Sequence, residues 1–452
     1  MSPDRRNGKT MRRIAAGLAI SLAVWGVCRV VVAATRHQLP HPARDIPDQE
    51  GRATASAHGF EARDLLALLS EGHAEGVSRD GTRITLALDE ELQRGIFDLF
   101  RRFDPAYGAF AAIEPSTGRV VALVGYRRGG EPDPQLSLKA IYPAASLIKV
   151  VTAAAALEGG SISPEDEIAY RGGIYGITRK GIHAKDGRGV PSMSFEEAIA
   201  RSANSVFGKV TVNYVGSAGL SHYMEQFGFG QQIPFDLPVE PSQGEVPRDE
   251  FLLARTGAGF GEVYVSPLHM AMIMSAIGNS GEMSQPFLID RIDDKDGKPL
   301  FEAAPSKWRD TVSAQTSDSL LQMMVKTIEI GTSRRTFGSP DSTPLLQDME
   351  VAGKTGSLSG WSPRMHFEWF AGVAPVGDPQ LAVAALVVND NRGKIKGSYV
   401  GKEAFNSYFG YPRSTPPAYA KKRGKARGKT AAVKPYRSKV RMKGKRGVKP
   451  VP

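Results

Sequence analysis

Apolar and polar positions alternate along Arg83–Leu88 (RITLAL) with the period of a β-strand. The period then changes. Over Asp89–Phe103 the residues Leu92, Ile96, Leu99 and Phe103 fall on one face of a helix, with Asp89 placed as its N-cap and acids in the first turn. Two β-rich runs within 107–126 flank the turn Pro115-Ser116-Thr117-Gly118 and predict a hairpin. A second hairpin is predicted within 367–388, where FEWFAGVAPVGDPQLAVAALVV runs strand, Pro/Gly turn, strand. Between the hairpins the pattern is helical. The strands therefore come from the two ends of one domain. The expected fold is α+β, an antiparallel sheet of N- and C-terminal strands with an inserted helical subdomain, and not βαβ winding.

The ends of the chain differ from this middle. Arg5, Arg6, Lys9, Arg12 and Arg13 precede an apolar run from Ile14 to Cys28, and Arg29 separates it from Val30–Ala34. Cations before an apolar segment hold that end in the cytoplasm. Residues 1–35 are expected to be a cytoplasmic N-terminus with a signal anchor in the inner (cell) membrane, or a signal peptide cut near Ala34 that would release the protein. Either places the rest outside the cytoplasm. Residues 36–80 predict a linker or small pedestal with one helical patch around Ala62–Leu69, residues 81–412 the folded domain, and residues 413–452 a disordered tail.

Charge supports this division. The net charge is +11. The tail alone holds 15 Lys and Arg and no acid; the remaining 43 cations against 47 acids leave a body of −4. The surplus is therefore not a nucleic-acid footprint. The tail is expected either to meet anionic lipid or an anionic envelope polymer, or to be a solvated extension without a partner. In the first case, deleting 413–452 is expected to lower co-sedimentation with envelopes, more at low salt than at high; salt-insensitive retention would exclude it. Cys28 is the single cysteine, so no internal disulfide forms. The eight histidines show no metal-ligand spacing, and no metal or other cofactor is expected.

The stretch YPAASLIKVVTAAAALE, Tyr142–Glu158, reads as a buried helix, yet carries Ser146 and, three residues on, Lys149. Positions i and i+3 share a helix face. A hydroxyl needs a base to become a nucleophile. A lysine serves only when neutral, which near pH 7 requires its proton affinity to fall by about 4 kcal/mol. Apolar surroundings push it that way, and Ala, Leu, Ile and Val supply them. A capping serine followed by a surface lysine would give the same four letters. A second segment, SFEEAIARSANSVFGKV, opens with a capping box of Ser194 and Glu197 and carries Ser202 and Asn204 further along. A second hydroxyl there can relay a proton between Lys149, Ser146 and a leaving amine, and an amide can hold a carbonyl or bond the lysine. A polar helix end is the alternative. In a third segment, VAGKTGSLSG, glycines leave room for close approach at a strand edge. Lys354 with the hydroxyls of Thr355 and Ser357 suits a carboxylate, and the N–H groups of Ser357 and Ser146 can form an oxyanion hole.

Taken in order, Ser146-x-x-Lys149, Ser202-x-Asn204 and Lys354-Thr355-Gly356 resemble the motif set of the penicillin-binding protein and serine β-lactamase superfamily. The resemblance extends over about 81–410, through TLALDEELQ, YGAFAAIEPSTGRVVALVG, GFGEVYVSPLHMAMIMSAIGNSG, GTSRRTF and WFAGVAP. It implies a transpeptidase domain over 81–412 without a glycosyltransferase partner. Ser146 is then nucleophile, Lys149 base, Ser202 proton relay and Asn204 holder of the acyl amide. Lys354 belongs to the same catalytic set; Thr355, Gly356 and Ser357 bind substrate. The implied partners are peptidoglycan stem peptides, with β-lactams as inhibitors. Ser357 stands where threonine is common. Water in place of the acceptor amine would make the protein a D,D-carboxypeptidase or a β-lactamase. The Glu-x-x-x-Asn of β-lactamases with a glutamate-held water is missing after Glu240. A penicillin sensor or scaffold without turnover is the alternative from another class. GAGFGE at 257–262 reads only as a turn.

Overall fold

The computed structural model describes residues 50–185, 187–338, 343–360, 365–390 and 395–415. The expected membrane segment and all but the first three residues of the basic tail lie outside the described residues. Among the described residues, no helix is long and apolar enough to cross a membrane.

Five strands form the central antiparallel sheet: β1 (Tyr107–Ile113), β2 (Val120–Arg127), β3 (Ala352–Ser359), β4 (His366–Ala374) and β5 (Leu381–Asn389). Their order is β3-β4-β5-β1-β2. Both expected hairpins are present, and they join where β5 pairs with β1, Ala384 opposite Ala111. Every residue of β5 is buried, because the sheet is covered on both faces. Ala382, Ala384 and Leu386 belong to one hydrophobic cluster, Val383, Ala385 and Val387 to the other. A strand buried on both faces reads as one unbroken apolar run.

The helices that matter here are α1 (Glu90–Phe103), α2 (Ile148–Glu158), α3 (Phe195–Arg201), α4 (Asn204–Val210), α5 (Pro267–Gly278), α6 (Ala314–Glu329) and α7 (Gly397–Tyr408). All but α1 and α7 lie, in sequence, between the two hairpins. Helix α5 packs on one face of the sheet, α1 and α7 on the other. Mostly apolar on every side, α5 is buried from Pro267 to Ile277, and Met270, Met272 and Met274 fill core.

Asp89 caps α1 as expected, its Oδ1 accepting from the N–H of Leu92 at 2.9 Å. The buried stripe differs at one position. It is Leu92, Ile96, Phe100 and Phe103, with Leu99 only half-buried. Phe100, four residues after Ile96, takes the inner position because Gly108 of β1 leaves space; a Cβ on Gly108 would stand 2.6 Å from its ring. Gln93, also on α1, is buried against the free edge of β2. Its carboxamide accepts from the N–H of Leu123 at 2.8 Å and donates to the carbonyls of Leu123 at 3.0 Å and Leu69 at 2.8 Å. One side chain thus stands in for a neighbouring strand. Each backbone group stranded by its removal would cost about 1–3 kcal/mol.

Residues 50–80, read from sequence as a linker or small pedestal, form helices Glu50–Ala57 and Ala62–Glu71 and a strand, Glu75–Val77. That strand pairs with Arg83–Leu86 in a second sheet completed by Ile289–Asp293 and Pro299–Glu302. The alternating run expected to Leu88 ends as a strand at Leu86. Leu65 and Leu69 are buried in the larger cluster.

Candidate active site

The first motif does not open a regular helix. Ala145–Leu147 form a single 3-10 turn that leads into α2. Ala145 has φ +49, a left-handed conformation unfavourable for a residue with a Cβ. The turn is held from two sides. Gly259 approaches it with φ +97, and a Cβ there would fall 2.4 Å from the Ala145 carbonyl oxygen. On another side lies edge strand β3, where a Cβ on Gly356 would stand 3.3 Å from the carbonyl oxygen of Ala144. Trp369 of β4 donates its indole N–H to the Pro143 carbonyl at 2.9 Å. Glycine is therefore needed at 259, where backbones meet at a positive φ, and a Cβ at 356 would be a tight fit.

Ser146 and Lys149 face each other. Lys149 is fully buried, and its Nζ lies 2.7 Å from Ser146 Oγ, 2.8 Å from Asn204 Oδ1 and 2.6 Å from the carbonyl oxygen of Ala258. The Phe207 ring centroid is 5.6 Å away. The amide of Asn204 is oriented by its other end, since Nδ2 donates to the Tyr175 carbonyl at 3.2 Å. Ala258 O and Asn204 Oδ1 can only accept. A neutral amine would direct its two N–H bonds to them and turn its lone pair to the serine hydroxyl. Burial, and then the nearby charge of Lys354, push Lys149 well below its ordinary pKa. No carboxylate is among its hydrogen-bond partners to hold the proton on.

The second motif is not on one continuous helix. α3 ends at Arg201, and Ser202 adopts φ +57 at the junction before α4. The N–H groups of Ser202 and Ala203 close the last turn on the carbonyls of Ile199 (3.2 Å) and Ala198 (2.8 Å). The break makes Asn204 the first residue of α4 and leaves both Ser202 and Asn204 buried. At the start of α3, Ser194 caps the N–H of Glu197 at 3.2 Å. The reciprocal half of the expected capping box is replaced: the Glu197 carboxylate reaches forward to Arg201 at 2.6 Å, one turn on, where it finds a cation.

The third motif lies on β3, whose antiparallel pairing sets Lys354 opposite Ala371. Lys354 is fully buried, donates to the Thr355 carbonyl at 2.9 Å, and is pushed by burial down to about 7. Side chains alternate along a strand, and the hydroxyls next to it have other partners. Thr355 Oγ1 lies 2.6 Å from Thr332 Oγ1, and Ser357 Oγ donates to Glu368 at 2.9 Å. The fold thus brings together Ser146, Lys149 and Asn204 by direct bonds, with Ser202 two residues away at the helix junction. Lys354 acts on Lys149 through its charge, and Gly356 packs on the turn through backbone contact.

Three participants escaped the sequence reading. The Ala258 carbonyl sits inside GAGFGE, read as a turn, and a backbone acceptor leaves no side-chain signal. The Tyr175 carbonyl is hidden for the same reason. Thr332 carried only the weak cue of lying in GTSRRTF.

Comparison with known proteins bears on the family and the fold. The model of the penicillin binding protein transpeptidase domain matches residues 108–409, more than half of the chain. Peptidoglycan D,D-transpeptidase PbpA of Mycobacterium tuberculosis is 27% identical over 345 residues, 68% of this chain and 68% of that protein. Stage V sporulation protein D of Bacillus subtilis is 25% identical over 339 residues, covering 69% of this chain and 50% of that one. In fold, penicillin-binding protein A of M. tuberculosis, solved as an imipenem acyl-enzyme complex, superposes with a TM-score of 0.61 at 22% identity, over 80% of this chain and 87% of that one. With the antiparallel sheet, the inserted helices and the extent of the match in place, the chain belongs to the penicillin-binding protein transpeptidase domain family.

Proposed function

We infer that this protein is a serine D,D-transpeptidase that crosslinks peptidoglycan stem peptides, with its catalytic domain outside the cytoplasm and its N-terminal apolar segment in the membrane. One observation carries the reading: a buried lysine whose side-chain hydrogen-bond partners among the described residues are the Ser146 hydroxyl and the Asn204 carboxamide oxygen. Ser146 Oγ attacks the carbonyl between the last two D-alanines while Lys149 takes its proton. The N–H groups of Ser146 and Ser357 hold the oxyanion. As the C–N bond breaks, the proton held by Lys149 passes through the Ser202 hydroxyl to the departing D-alanine nitrogen, and Asn204 holds the acyl amide. The amine of a neighbouring stem then attacks the ester, forming the crosslink and returning the proton to Ser146. Lys354, with Thr355 and Ser357, receives the terminal carboxylate; an arriving anion would favour its charged form. β-Lactams acylate Ser146 by the same route. Relatives named peptidoglycan D,D-transpeptidases, and structural neighbours solved as β-lactam acyl-enzyme complexes, support the inference.

Incubation of the full chain with a stem pentapeptide and an amine-bearing acceptor stem is expected to yield a crosslinked dimer by mass spectrometry, with release of D-alanine. Release without dimer would make water the acceptor and the protein a carboxypeptidase. Neither product would overturn the enzymatic reading.

A further inference from the structure

Beside Asn204 the chain makes a small closed loop, Arg171–Gly181, of sequence RGGIYGITRKG. It carries three cations, Arg171, Arg179 and Lys180, and no acid, in a body whose net charge without the tail is −4. All three cations are exposed. The loop ends meet: a Cβ on Gly181 would stand 3.1 Å from the Arg171 carbonyl oxygen. Gly172 and Gly173 turn the chain with φ +86 and +77. Tyr175 is 63% exposed.

The loop is fastened to the active site through its backbone. The Tyr175 carbonyl accepts from Asn204 at 3.2 Å, and the Ile174 carbonyl accepts from the N–H of Ser205 at 3.1 Å. Asn204 therefore touches Lys149 with one end and the loop with the other. Nearby acids are already engaged: Asp249 lies 3.5 Å from Arg179, and Glu250 lies 3.2 Å from His183. Arg179 is also stacked over Phe251 at 4.9 Å. Among the described residues, Arg171 and Lys180 are in none of the ion pairs found. A patch at the rim of a site that keeps two exposed cations outside these ion pairs raises the local concentration of a ligand of opposite charge.

Resting on the transpeptidase reading, we propose that this loop selects the substrate by charge. It favours stem peptides that carry free side-chain carboxylates over the same peptides with those groups amidated. The terminal carboxylate is separate, since it belongs to the buried Lys354 side of the site. Exposed cations give a modest attraction that salt screens within about 8–10 Å, so the preference belongs in binding and not in the chemical step.

The test is equilibrium binding of a fluorescent stem pentapeptide to the full chain carrying Ser146→Ala, which isolates binding from turnover. Free-carboxylate and amidated peptides are compared, with the terminal carboxylate free in both. Adding Arg171→Gln and Lys180→Gln is expected to weaken the free-carboxylate peptide by on the order of tenfold at low salt, and the amidated one by less than about twofold. Arg171→Lys with Lys180→Arg is expected to keep the preference. Equal loss on both peptides, or no loss on either, would overturn the proposal. If the neutral variant does not melt as a folded protein, salt titration of the Ser146→Ala chain decides instead. Salt must then weaken the free-carboxylate peptide selectively, and equal weakening refutes the loop. Failure of the transpeptidase reading would show separately, as absent penicillin acylation of the unsubstituted chain.

Discussion

Ser146→Ala is expected to abolish covalent labelling of the full chain by fluorescent penicillin, lowering acylation by at least about 10⁴-fold, since a serine nucleophile has no substitute in this chemistry. The geometry explains why the loss should be near total. Ser146 is half-buried, whereas its partner Lys149 has no exposed surface. An electrophile can reach the hydroxyl but not the amine, so the lysine cannot take over as nucleophile. The fold should tolerate the change. The side chain contributes one hydrogen bond, worth about 0.5–1.5 kcal/mol, and the turn is shaped by the neighbours of Ser146, namely Ala145, Gly259 and Gly356. Equal labelling of the two proteins at equal thermal stability would remove Ser146 as the acylated residue.

The fold and much of the candidate site are legible in the sequence. The sheet could be read because its two hairpins carry turn chemistry between β-rich runs, and because a strand buried on both faces, such as β5, is apolar without interruption. The pair Ser146 and Lys149 could be read because an amine in an apolar helix is costly and so needs a reason. What could not be read is where backbone meets backbone. The left-handed Ala145, the break at Ser202 and the carbonyls of Ala258 and Tyr175 all depend on segments remote in sequence. A carbonyl is offered by every residue, so the sequence does not mark the one that is used. Gly259 and Gly356 were visible as glycines, but what crowds them was not. The exchange of Leu99 for Phe100 in the core of α1 has the same origin. Helical period allows either spacing from Ile96, and the empty side of Gly108 decides.

Lys149→Met should separate catalysis from stability, moving them by different amounts and with different pH dependence. Removing the base is expected to lower penicillin acylation by on the order of 10²–10⁴-fold. In the wild type, acylation should rise with pH through the depressed pKa of the folded lysine, because only the neutral amine can accept the Ser146 proton. The residual rate of the variant should lose that rise. Wild-type stability carries a pH dependence from the same proton. Burial sets the folded pKa of Lys149 well below its ordinary value of 10.5, so between those two values the unfolded chain holds a proton that the folded chain has given up. Wild-type stability therefore increases with pH across that window, and the penalty of burying the amine is largest below it. Methionine carries no such penalty. It does strand Asn204 Oδ1 and the Ala258 carbonyl, at about 1–3 kcal/mol each, a cost that does not change with pH. Relative to wild type, Lys149→Met should thus gain stability as pH falls from about 10 towards 7, by up to about 1.4 kcal/mol for each pH unit. Lys354, pushed to about 7 by its own burial, contributes the same dependence to both proteins and largely cancels in the difference. Denaturant unfolding of both proteins at pH 7 and pH 10 reads this directly. A stability difference that does not vary with pH would show that Lys149 keeps its proton in the folded protein, and a base that is already charged cannot activate Ser146.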